Sequence, residues 1–130
     1  MNAYGTLLKK LIRFTNIKLT NLAEIVGYDT SYISKWCNKG KLPAAKAAPN
    51  VNKCLADVFA REIIIQEEAT LFAAEFNASG PYDESSLSST IFRLLKDAYK
   101  RSYDNTSENA QLAGLSSQRM LLWQLDIKNF

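Results

Sequence analysis

The segment LTNLAEIVGYDTSYISKWCNKGKLPA, residues 19–44, contains two short helical patterns separated by Gly-Tyr-Asp. In the first pattern, apolar residues recur at the spacing of one helix face: Leu19, Leu22, Ala23 and Val26. Thr20 is the best side chain there for an N-cap, and Gly27 supplies the left-handed residue that commonly ends a helix. We therefore predict a short amphipathic helix that stops at Gly27.

The second pattern begins at Asp29, whose carboxylate can cap a helix by accepting free backbone N–H groups. Ile33 and Trp36 are three residues apart and are expected to point inward, while Gly40 and Pro43 end the helix. The outward side carries polar and basic groups: Thr30, Ser31, Ser34, Lys35 and Asn38, with Tyr32 at its edge. A helix of this kind can enter the major groove of DNA, which is about 12 Å wide.

The whole segment resembles the helix-turn-helix of Cro/phage-repressor-type transcriptional regulators, the XRE family. The matching positions are Ala23, Gly27, Ile33, Trp36 and the exit Gly40-Lys41-Leu42-Pro43. The resemblance covers residues 4–66 and implies an all-α, lambda-repressor-like bundle of five helices that binds double-stranded DNA. Thr30 and Ser31 stand where many members have Gln or Arg, and Asp29 stands where Ser is common. We therefore expect base readout to be weaker or more water-mediated than in those members.

The resemblance assigns roles to the polar residues of this segment. Lys35 can address guanine O6 and N7, and Asn38 can address adenine N6 and N7. The other candidate base readers are Thr30, Ser31 and Ser34, and the candidates for phosphate contacts are Lys18, Thr20, Tyr32, Lys39 and Lys41. For any one of these residues, an ordinary solvated surface position is the alternative interpretation.

Charge divides the chain unevenly. Through Lys53 there are nine basic and two acidic residues, whereas from Cys54 onward there are seven basic and eleven acidic residues, which together give the net charge of +3. This division indicates a half that binds a polyanion and a half with another role.

The remaining sequence predicts further helices. Before the central segment, Leu7, Leu8, Leu11 and Ile12 form the apolar face of an amphipathic first helix. We predict a helix-turn-helix DNA-binding domain over 1–66 and a helical C-terminal extension over 67–130, with a break at Gly80-Pro81 and a polar linker near 104–118. The apolar stripe from Phe72 to Phe76 exceeds what a monomer surface should expose and predicts an intermolecular partner. Residues 119–130 are again apolar and fit either a short helix or a strand.

The predicted function is that of a sequence-specific transcriptional regulator, a dimeric repressor whose C-terminal half forms the two-fold interface. Expected partners are double-stranded DNA and a second copy of the chain, with a protein or small-molecule effector of the C-terminal half left open. One alternative is that residues 54–130 merely enlarge one monomeric core. Another is a protein-interaction adaptor or antitoxin-like module acting through the acidic half, and a third is that the chain is the N-terminal piece of a longer regulator.

The sequence gives little support to other classes. It contains no histidine, Gly-rich phosphate loop or zinc-type ligand spacing, so we expect no enzyme activity, no cofactor and no metal. Cys37 and Cys54 are expected to be free thiols. Without an apolar run of about 18 residues or a secretory signal, we expect no membrane association and a cytoplasmic location.

Overall fold

The computed structural model describes residues 2–116, with side chains described through residue 105. These residues form helices and no strand, which confirms the predicted all-α fold. The helices are α1 (Ala3–Thr15), α2 (Leu19–Val26), α3 (Thr30–Asn38), α4 (Ala48–Ile65), α5 (Ala69–Phe76) and α6 (Glu84–Ser116). None of the helices within the described part of the chain is long and apolar enough to cross a membrane. The expected apolar segment 119–130 lies outside the described residues.

Helix α1 is fixed at both ends. The side chain of Asn2 caps it by accepting a hydrogen bond from the Gly5 amide at 2.7 Å. At the other end, Asn16 adopts a left-handed conformation with φ 56°, and Gln66 Nε2 donates to the Thr15 carbonyl oxygen at 2.8 Å. Helix α1 is therefore anchored to the end of α4 as well as capped locally.

Helix α2 confirms the predicted stop and corrects the predicted start. Gly27 follows the helix with φ 87°, and its amide donates to the Ala23 carbonyl oxygen at 2.8 Å. The N-cap position is Lys18 rather than Thr20, because the Lys18 carbonyl oxygen already accepts the Leu22 amide. Thr20 therefore lies inside the first turn, where its side chain is exposed.

Helix α3 begins after Asp29, as predicted, but the Asp29 carboxylate makes no capping hydrogen bond. Instead, the Tyr32 amide donates to the main-chain carbonyl oxygen of Asp29 at 3.0 Å. Ile33 and Trp36 are buried, which confirms their predicted inward direction.

The bundle contains four helices before residue 66 instead of the expected five. Helix α4 runs without interruption from Ala48 to Ile65, with a proline in its first turn, where the missing N–H is tolerated. The fifth helix, α5, starts only at Ala69.

The Phe72 to Phe76 stripe packs against α1 of the same chain, so its excess of apolar surface does not require an intermolecular partner. Phe72 is fully buried and stacks on Phe76, with ring centroids 4.7 Å apart. Both rings also make T-shaped contacts with Phe14 of α1. The ring centroids of Phe72 and Phe76 lie 6.0 and 5.6 Å from that of Phe14. The aromatic surface that the sequence left unassigned is therefore covered by the first helix.

The core continues past the expected boundary at residue 66. Leu87, Ile91 and Leu95 of α6 belong to the same hydrophobic cluster as Leu8 and Leu11 of α1. The first of two compact units accordingly ends at Tyr99, and the second begins at Lys100. For residues 67–98, this packing agrees with the alternative in which the C-terminal half enlarges one core.

The expected polar linker near 104–118 is helical as far as the structure describes it. The backbone of α6 continues to Ser116, and residues 117 and 118 lie outside the described residues. Glu, Gln, Ala and Leu, which are favourable in helices, occur within this polar run, and no proline interrupts it.

Candidate nucleic-acid interface

Helix α3 is held from its inner side by a close contact with α1. Gly5 packs against the C-terminal half of α3, because an added Cβ there would lie 2.5 Å from the Trp36 carbonyl oxygen. Beyond the helix, Asn2 Nδ2 donates to the Gly40 carbonyl oxygen at 3.1 Å. Two residues at the start of α1 therefore position both α3 and the segment that leaves it.

An aromatic cluster fixes the beginning of α3. Tyr28 lies in the turn between α2 and α3 and makes edge-to-face contacts with Trp36 and Tyr32. Its ring centroid lies 5.2 Å from that of Trp36 and 5.6 Å from that of Tyr32. Trp36 is buried, whereas Tyr32 is 52% exposed and has the Lys35 ammonium group 6.0 Å from its ring centroid. Tyr28 therefore contacts both a buried ring and an exposed ring, and it links the outward side of α3 to the core.

The candidate base readers lie on the solvent side of α3. Ser31, Lys35 and Asn38 are exposed and lie four and three residues apart, so they form one row along the helix. Thr30 and Ser34 are half-buried beside this row. The structure thus brings all five candidate readers onto one helix, and it places Tyr32 at their edge.

Two of the candidate phosphate contacts follow directly after α3. The amides of Lys39 and Lys41 donate to the Lys35 carbonyl oxygen at 2.9 and 3.3 Å, so the chain turns tightly at the helix end. Gly40 makes this turn possible with φ 70°. Both lysine side chains are exposed.

Of the three remaining candidates for phosphate contacts, Tyr32 lies on α3 and the other two lie at the start of α2. Lys18 and Thr20 are exposed, but Lys18 lines a surface pocket together with Glu24 and Glu62. The local charge there is mixed. Among the candidates for phosphate contacts, Lys39 and Lys41 therefore have the more uniformly basic surroundings.

The charges of the candidate lysines are not neutralised by neighbouring carboxylates in the described part of the chain. Within the described part of the chain, Lys18, Lys35, Lys39 and Lys41 form no ion pair with a carboxylate. Lys10, by contrast, donates to the Glu75 carbonyl oxygen at 3.1 Å and lies over the Phe76 ring. The basic N-terminal half therefore uses some of its charge for packing, whereas Lys35, Lys39 and Lys41 stay exposed on α3 and directly after it.

Cys37 lies on the buried side of α3. Burial raises the pKa of its thiol, and the nearby Lys9 ammonium group only partly opposes this change. The thiol therefore remains protonated at neutral pH and behaves as a small apolar group. Both cysteines are free, as expected, and Cys54 is half-buried.

The sequence reasoning overlooked Asn2 and Gly5, which position α3. Their signals were present, since Asn immediately before a helix favours an N-cap and an isolated Gly inside a helical pattern often marks close packing. No metal ligand set accompanies the site, since no group of three or more His, Cys, Asp or Glu residues that could hold an ion occurs in the described portion.

Comparisons of this chain with protein-family models, with curated proteins and with solved structures found no match.

Proposed function

We propose that this protein is a sequence-specific DNA-binding transcriptional regulator that inserts α3 into the major groove. The observation that carries the proposal is the outward row of Ser31, Lys35 and Asn38, which is followed by two exposed lysines that pair with no carboxylate among the residues that the structure describes. No acidic residue occurs between Asp29 and Asp57. A polyanion can therefore approach this side of α3 without meeting a carboxylate from that part of the chain.

Each part of the surface has a separate role in the proposal. Lys35 and Asn38 read base edges, and one well-formed bidentate contact contributes about 1–3 kcal/mol of discrimination against the wrong base. Lys39 and Lys41 bind phosphates, which sets the register of α3 and makes affinity depend on salt. Ser31 has a short side chain and adds hydrogen bonds to bases, directly or through water.

The proposed biological unit is a homodimer that represses by covering a promoter. Helix-turn-helix regulators commonly recognise two half-sites one turn of DNA apart, so a two-fold arrangement places one α3 on each half-site. Residues 67–130 are proposed to supply the dimer interface or to bind an effector.

The test is selection of bound sites from a random duplex DNA pool at near-physiological salt. Wild type is compared with Lys35→Glu, and with Arg93→Glu as a matched charge reversal at an exposed position of α6. We expect wild type and Arg93→Glu to enrich the same two-fold symmetric motif, and Lys35→Glu to lose it while its circular dichroism spectrum stays unchanged.

The same experiment separates the competing hypotheses. Absence of enrichment by a folded wild-type protein would refute the proposal and favour a protein-interaction adaptor. Enrichment that Lys35→Glu and Arg93→Glu weaken equally would indicate binding through overall charge instead of through α3.

A further inference from the structure

A cavity of about 300 Å³ lies between the start of α4 and the middle of α6. One wall is formed by Ala45, Ala48, Pro49 and Asn52, and the other by Phe92, Lys96 and Tyr99. The small side chains of the first wall leave the space unfilled, and Ala45, Pro49 and Lys96 are exposed at its opening. Its volume is at the lower end of the range for small-molecule sites, about 300–1,000 Å³.

Asn52 gives this cavity a buried polar group with unused hydrogen-bonding capacity. Its side chain is 3% exposed, and its Oδ1 accepts the Tyr4 hydroxyl at 2.7 Å. Burial raises the pKa of Tyr4 far above its usual range, so the hydroxyl remains a donor. Among the described residues, no acceptor receives a hydrogen bond from Asn52 Nδ2. Buried amide groups are normally satisfied, so an acceptor atom of a ligand in the cavity would complete this one.

The charge around the cavity favours an anion. Lys96 is the one charged side chain in its lining, and it forms no ion pair with any residue that the structure describes. Ala48 and Pro49 belong to the first turn of the 18-residue helix α4, where the helix dipole is positive. Phe92 and Tyr99 supply aromatic surface on the α6 side. The lining thus combines an apolar, ring-bearing wall with a cation and an amide donor.

We propose that this cavity binds a small aromatic carboxylate, with the ring between the α4 and α6 walls. One carboxylate oxygen accepts from Asn52 Nδ2, and the negative charge faces Lys96. The site is separate from the outward row of α3, so it does not depend on the proposed DNA binding.

The test compares benzoate with benzamide, which has a similar shape and an acceptor oxygen but no charge. Binding is measured on the full chain by titration of amide chemical shifts, for wild type, Lys96→Met and Arg93→Met. Methionine keeps the apolar stem of Lys96 and removes its charge, and Arg93 is a matched exposed cation of α6 outside the cavity. We expect Lys96→Met to weaken benzoate about two- to fivefold, the range for an exposed ion pair, and to leave benzamide unchanged.

A second variant tests the location. Ala45 is exposed at the opening and lies outside the helices, so Ala45→Trp fills the cavity from the solvent side without disturbing the core. We expect it to abolish the shifts that benzoate causes at Asn52, Phe92 and Lys96. The proposal is wrong if benzoate causes no saturable shifts there or if Ala45→Trp binds as tightly as wild type. It is also wrong if Lys96→Met and Arg93→Met weaken benzoate equally.

Discussion

Replacing Gly5 with alanine tests whether the close approach of α1 to α3 maintains the fold. The new Cβ would lie 2.5 Å from the Trp36 carbonyl oxygen and 3.1 Å from that of Cys37. Both oxygens belong to the main chain of α3, so no side-chain rotation relieves the contact. Helix α1 must instead move away from α3, which loosens the packing of the fully buried Tyr4 and Leu8.

The expected net effect of Gly5→Ala is a loss of stability of about 1–2 kcal/mol. Overpacking of a well-packed site costs about 1–3 kcal/mol. Alanine offsets up to about 1 kcal/mol of this through its higher helix propensity, but Gly5 is only the third residue of α1, so the gain is smaller. For a chain of this size, the loss corresponds to a fall in Tm of roughly 4 °C or more.

The assay is equilibrium urea unfolding followed by circular dichroism at 222 nm. Thr6→Ala is the control, because Thr6 is the neighbouring α1 residue and is exposed. Its effect should stay within about 0.5 kcal/mol, as for most surface changes. A Gly5→Ala protein as stable as wild type, or more stable, would show that α1 and α3 are not in tight contact at this point.

Three further predictions address the turn, the phosphate contacts and the α4–α6 contact. Gly27→Ala should cost about 1–2 kcal/mol in urea unfolding, since φ is 87° while no atom of the described residues lies within 4 Å of the added Cβ; an unchanged midpoint would contradict the left-handed turn. Lys39→Ala and Lys41→Ala should each reduce the slope of log affinity for DNA against log salt by about 0.9, and a slope equal to that of wild type would remove that lysine from the phosphate contacts. Ser88 donates a hydrogen bond that lowers the pKa of the Asp57 carboxyl, so this stabilisation is present above the unfolded pKa of about 3.9 and is lost as the pH falls through the folded pKa. Ser88→Ala should therefore lose less stability than wild type between pH 5 and pH 3 in urea midpoints measured at both values, whereas equal losses would contradict the linkage.

The helices around the central segment were predictable because their signals are local. The apolar spacing of α2 and α3 and the glycine at position 27 each depend on a few neighbouring residues. Thr20 was the wrong N-cap because a favourable side chain does not decide where the backbone begins to turn. Here the extended residue is Lys18, with φ −72° and ψ 137°, and the helix starts directly after it.

The contacts of α5 and α6 could not be predicted from local patterns. Excess apolar surface at Phe72 and Phe76 indicates that something covers these rings, but periodicity does not say whether the cover is a second chain or Phe14, far earlier in the sequence. The boundary expected at residue 66 followed from the extent of the family resemblance, residues 4–66. A resemblance marks where a motif ends, whereas the extent of a compact unit depends on which apolar faces pack together.

The exposed residues of the candidate site could be predicted from the sequence. The contacts that hold α3 in place could not. Polar side chains on the face opposite Ile33 and Trp36 must point to solvent, so the outward row follows from helix geometry. The contact of Gly5 with the Trp36 carbonyl oxygen joins residues 31 positions apart. A glycine inside a helical pattern can indicate a close contact, but the sequence does not show which helix approaches it.

The shared core determines how the regulator and adaptor hypotheses can be separated. Deleting residues 67–130 would remove Phe72, Leu87 and Ile91, all buried in the same cluster as Leu8. The shortened chain would expose Phe14 and the apolar face of α4, so loss of DNA binding would report unfolding as readily as a missing interface. Only substitutions at exposed positions of the intact chain change one surface at a time, and for that reason reversal of charge at Lys35 is more informative than truncation.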